Sequence, residues 1–169
     1  MSQWARELHE AFLGALGTRA TPLGPIALKP LDLDLALPLP PRVRLYLYSL
    51  TPEPKGTRYK SSLRLRGQVT GEWGTFDHSG GRLALVAGYN PDLDVFVFWD
   101  TSLHPRFKYG GNIQVSTDTV LTAAATGWSE QERVVTGVSA VELVVACTSS
   151  MLARAIERRA DTVGGVVHG

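Results

Sequence analysis

Two apolar runs, RLALVAGY (82–89) and LDVFVFWD (93–100), lie close together, and no other feature constrains the fold as much. Each has strand length and is apolar at nearly every position rather than at alternate ones. A strand of that kind must be covered on both faces. The intervening Asn90-Pro91-Asp92 is turn chemistry, so the pair reads as two strands joined by a turn.

The flanking sequence supplies the cover. Trp4, Leu8, Ala11, Phe12, Ala15 and Leu16 recur at three- and four-residue steps, predicting an amphipathic helix that stops at Gly17. Residues 20–41 are rich in proline and contain an alternating LDLDLAL, which predicts a long connection with one edge strand at 31–37. RVRLYLYSL (42–50) and TRYKSSLRLRGQV (57–69) alternate and flank the turn sequence TPEPKG, so 42–69 reads as a hairpin. TGEWGTFDHSGG (70–81) reads as a polar loop. NIQV predicts a short strand. Thr117 or Asp118 then caps a helix that ends at Gly127. ERVVTG and AVELVVACT predict the last strands. Ser149 or Ser150 caps a final helix with Met151, Leu152, Ala155 and Ile156 inward and Arg154, Arg158 and Arg159 outward.

The fold class this predicts is α+β. Six or seven strands form a strongly curved, mostly antiparallel sheet or a partly closed barrel, flanked by about three helices. Residues 1–160 read as one domain, and 161–169 as a tail or the start of a linker. Regular alternation of strands and helices, the mark of a doubly wound sheet, is missing.

Composition narrows the function classes. The chain of 169 residues is 44% hydrophobic and 20% charged, as expected for a globular domain with a proper core. A single cysteine, Cys147, leaves no internal disulfide, and no apolar run has membrane-spanning length. Both points read as cytoplasmic. Net charge is only +1, but residues 42–66 hold seven basic residues and one acid. Such asymmetry points to an anionic partner. No Walker loop, dinucleotide fingerprint, zinc spacing or nucleophile elbow is present, so no cofactor and no metal are expected. Asp92, Asp94 and Asp100 leave a metal-dependent nuclease as an alternative, although no lysine is spaced to complete such a site.

Two groups of residues carry the candidate chemistry. Arg42, Arg44, Arg58, Lys60, Arg64 and Arg66 form a basic hairpin face, with Tyr46 and Tyr48 interleaved. This face suits DNA phosphates, or it is the solvated side of an edge hairpin. Downstream, Trp99, Asp100, Tyr109, Asn112 and Gln114 supply stacking and hydrogen-bonding groups of the kind a flipped base requires. Each also fits a core or turn role when taken singly. Trp73, Phe76 and His78 offer an insertion loop.

The strings RLYLYSLTPEPKGTRYK, GTFDHSGGRLALVAGY and DVFVFWDTSLHPRFKYGGNIQVSTDTVL, in that order, carry a resemblance. Over about residues 42–157 the chain resembles an N-terminal domain of bacterial restriction endonucleases and of proteins encoded beside DNA methylases. The Trp-Asp…His…Phe-x-Tyr…Asn-Ile-Gln-Val string is its most particular part. PEPKG departs from the Pro-Gly-Gly-Arg turn of relatives, and RYKSS lacks their acid before Tyr-Lys. By looser analogy, modification-dependent restriction enzymes of the MspJI and AspBHI type place an SRA-like, base-flipping reader before their nuclease. The resemblance implies a non-catalytic reader of double-stranded DNA bearing methylated cytosine. Its implied companions are a nuclease domain or a partner methylase. The other open reading is a domain that docks such a partner.

Overall fold

The computed structural model describes residues 2–52, 62–66, 75–104, 113–135 and 140–162. Helix α1 (Ser2–Leu16) leads through a 3₁₀ turn to β1 (Ala20–Pro22), β2 (Leu31–Leu35), β3 (Arg42–Pro52) and β4 (Ser62–Arg66). Then come β5 (Leu83–Asn90), β6 (Val95–Trp99), β7 (Gln114–Ser116) and α2 (Thr117–Thr126). The chain ends in β8 (Trp128–Val135), β9 (Ala140–Thr148) and α3 (Leu152–Asp161).

All nine strands join one sheet, in the order β1-β2-β3-β5-β6-β9-β8, with β4 on β3 and β7 on β4. Among the described strand pairs, only β3 and β5 run parallel. The class is α+β and the sheet is mostly antiparallel, as expected. Nine described strands take part where six or seven were expected, and the proline-rich segment supplies two of them, β1 and β2, and not one. Strand β3 is long enough to take two partners on one edge. Residues 42–45 pair with β2, and 49–52 pair with β4. The expected hairpin therefore exists, but its first strand lies inside the sheet. Thr51 and Pro52 of the TPEPKG turn belong to β3, and its other four residues lie outside the described residues.

Strand β6 explains why both faces are covered. Phe96 and Phe98 join a core with Leu8, Phe12 and Leu16 of α1 and Leu152, Ala155 and Ile156 of α3. Val95, Val97 and Trp99 join a second core with Val120 and Ala123 of α2, Ile113 and Val115. The Trp4 side chain lies outside the described residues.

Helix α2 is capped by Ser116, one residue before the expected cap, and closed by Gly127 at φ +93°. Helix α3 starts after a 3₁₀ turn with Met151 at its N-cap position and so without a side-chain cap, while the Ser149 hydroxyl donates to Asp94. Arg159, expected to face outward, is fully buried.

Among the described residues no backbone ladder joins β7 to β8, so the sheet is not closed into a barrel. Side chains bridge that seam. Gln131 Oε1 accepts from the Ser116 N–H at 3.0 Å and from the Thr119 hydroxyl at 3.0 Å. Arg133 donates to the Gln114 carbonyl at 2.6 Å. No described helix is long and apolar enough to cross a membrane.

Candidate functional site

The basic face changes character once β2 is in place. Asp32 and Asp34 project from the outer side of LDLDL, and register sets them against Arg44 and Arg42. Arg44 Nε meets Asp32 at 2.8 Å, and its Nη1 meets the Asp77 carboxylate and carbonyl, each at 3.0 Å. Hydrogen bonding to Asp32 holds this guanidinium firmly charged. Bonds from Ser79, with Arg44 beside them, keep Asp77 below the usual carboxylate range. Arg82 joins the same row, reaching Asp32 at 3.5 Å and Asp34 at 3.4 Å. Arg44 is thus an internal staple, which corrects its assignment as a phosphate ligand. The acids that neutralise it arrive from twelve residues upstream and from the following loop. Tyr46 and Tyr48 are buried as well.

Other members of the basic row stand differently. Arg42 is exposed. Arg64 and Arg66 lie on β4, whose backbone pairs with β7 so that Arg64 is the partner of Gln114. Arg58 and Lys60 lie outside the described residues. In the candidate insertion loop, Phe76 is buried edge-on against Tyr46, their ring centres 5.0 Å apart, and the Asp77 N–H donates to the Tyr46 hydroxyl. Phe76 therefore anchors this segment rather than inserting into a ligand. His78 is exposed, and Trp73 lies outside the described residues.

Trp99 and Asp100 close the core. The Trp99 ring is fully buried and its indole N–H donates to the Gln114 carbonyl at 2.9 Å. Asp100 caps the following 3₁₀ turn, accepting from the Ser102 N–H at 2.9 Å and the Ser102 hydroxyl at 2.6 Å. Its second oxygen lies 3.5 Å from Arg159 of α3. Neither side chain presents a face to a ligand, because β6 ends between two packed layers. Gln114 is half-buried, and Tyr109 and Asn112 lie outside the described residues.

Beside Asp100 sits a group that sequence reasoning missed. Glu142 and His104 are both fully buried, with His104 Nε2 2.7 Å from Glu142 Oε2. An ionised carboxylate only accepts, so His104 carries its proton on Nε2. The same oxygen accepts from the Asp100 N–H at 2.8 Å, while Arg133 Nε lies 3.7 Å from the other. Arg159 donates to the Leu143 carbonyl and to Thr162. Burial lowers its pKa, against the opposing pull of Asp100 and Glu142. Such buried charges persist only when paired. One signal was readable: Glu142 is a lone acid inside the apolar run AVELVVACT.

The nuclease alternative loses its ligand set. Asp92 is exposed in the turn. Asp94 accepts from the Tyr89 hydroxyl and from Ser149 at the start of β6. Asp100 lies at the other end of that strand, about 20 Å away at the usual rise per residue. Among the described residues, no three His, Cys, Asp or Glu side chains converge to hold a metal.

A half-buried cation lies elsewhere. Lys29 reaches the β3 residue Tyr48, with Nζ 4.0 Å from the centre of its ring. Burial lowers its pKa to about 8.

A family model described as Methylase-associated X1 matches residues 41–156. No curated protein and no solved structure matches the chain.

Proposed function

The chain belongs to the Methylase-associated X1 family, and from that premise we propose that it is the DNA-recognition module of a bacterial restriction or defence system. The match covers residues 41–156, which include both groups of candidate residues. The observation that carries the reading is the β4–β7 pairing, which sets Arg64 directly beside Gln114. The second strand of the basic hairpin and the end of the polar string thereby share one part of the sheet.

In this reading Arg64 and Arg66, with Arg58, Lys60 and Arg42, neutralise backbone phosphates. Tyr109, Asn112 and Gln114 read a base, methylated cytosine being the proposed target and base flipping the proposed route. Trp99 and Asp100 support that reader from the core and do not touch the base. The module has no catalysis of its own and needs no cofactor. Cleavage belongs to a separate nuclease.

Fluorescence-anisotropy titration of methylated and plain duplexes across a salt series tests this reading. Affinity should fall linearly on a log–log scale as salt rises, and the double substitution R64E/R66E should flatten that slope by about 2. Absence of binding at low salt contradicts it.

A second reading, docking of a partner methylase, draws on the cross-strand pair Val134 and Val141, both exposed, Val134 by 72%. Capture of the methylase that survives R64E/R66E but not V134E/V141E favours it.

A further inference from the structure

The two ends of the polar string are tied to one pair of residues. At one end His104 meets Glu142 Oε2 at 2.7 Å. At the other, Arg133 donates to the Gln114 carbonyl at 2.6 Å, beside the Trp99 indole N–H on the same oxygen. Arg133 and Glu142 are themselves register partners across β8 and β9, with Nε and Oε1 3.7 Å apart. A single cross-strand ion pair therefore links both anchors, while the stretch 105–112 lies between them in sequence.

This arrangement differs from a generic buried ion pair in where its hydrogen bonds go. Glu142 spends one oxygen on the two groups at the end of β6, the Asp100 N–H and His104. Arg133 spends one nitrogen on a β7 carbonyl that β8 does not reach through a backbone ladder. We propose that Arg133 and Glu142 are positioning residues that hold the ends of the recognition string at a set separation and do not themselves contact DNA. The inference rests on the proposed function for the use of that string, but the clamp itself is a property of the free protein.

The test uses the whole chain in two arms. The first follows hydrogen exchange of the Trp99 indole N–H in ¹⁵N-labelled protein, its signal identified by loss in W99F. R133M and E142Q should each speed that exchange at least tenfold relative to the backbone amides of the β6–β9 ladder. R133K should recover part of the protection. A merely structural role speeds both sets of protons alike, and unchanged Trp99 exchange in both variants overturns the clamp.

The second arm measures affinity for a methylated duplex. Both variants should bind roughly tenfold more weakly with an unchanged salt slope, because no phosphate contact is lost. A reduced slope in R133M makes Arg133 a phosphate ligand and overturns the positioning role, as does wild-type affinity in both variants. If the unsubstituted protein binds no duplex, the proposed function fails while the exchange arm still decides the clamp.

Discussion

Arg44 and Lys29 are both cations near β3, and their neighbours give them opposite roles. Arg44 has two carboxylates and two carbonyls around its guanidinium. Substituting it with Ala should lower stability by about 1–2 kcal/mol, because Asp32 and Asp77 lose their shared partner at a partly exposed site. The same substitution should leave the salt dependence of DNA binding untouched. Urea unfolding and the anisotropy titration check the two halves separately. Lys29 rests on an aromatic ring, and burial takes its pKa to about 8. The unfolded chain keeps that proton up to about 10.4 while the folded chain gives it up near 8. Stability should therefore rise with pH across that window. K29M should add about 2 kcal/mol at pH 7, and the gain should shrink by pH 9.5. Urea midpoints at the two pH values measure this. A constant difference between the variants would show that the lysine is not destabilised by burial.

Among the elements, β6 and β9 were the most legible from sequence, β1 was not foreseen, and the surroundings of β3 were misread. Consecutive apolar residues report burial on both faces regardless of which neighbours provide it, so VFVFW announced its place. RVRLYLYSL alternates, and alternation normally separates a core face from a wet one. Here Tyr46 and Tyr48 meet a second core, and Arg44 meets the acids of β2. Those contacts are made across distant segments, so the local pattern did not contain them. The same holds for Arg159, which helical spacing turned outward and which Asp100, Leu143 and Thr162 draw inside. At the end of β9, E142A should cost about 3–5 kcal/mol by leaving His104 and Arg133 uncompensated, with E142Q costing clearly less. Thermal unfolding of the two variants checks this order. Helix α2 should lose about 1 kcal/mol on S116A, since the Ser116 hydroxyl accepts from the Thr119 N–H at 3.2 Å.

At the scale of the whole molecule, the described residues form one sheet with a core on each face. Sequence alone established the α+β class and the two-sided burial of β6, and it singled out residues 99–114 as a candidate site. It misjudged which members of that stretch face outward. Trp99 and Asp100 both carry hydrogen-bonding groups suited to a ligand, and the fold uses them internally, on the Gln114 carbonyl and the Ser102 turn. In the proposed function, DNA is met where β4 and β7 pair, and that surface is supported from behind by the buried network around Glu142. Mapping backbone amide shifts while titrating a methylated duplex tests it most directly. The largest changes should fall on Ser62–Arg66, Ile113–Ser116 and Ser102–His104, with the Asp94–Ser149 end of the sheet unchanged. Shifts confined to that opposite end, or to the Val134–Val141 pair, would contradict the claim.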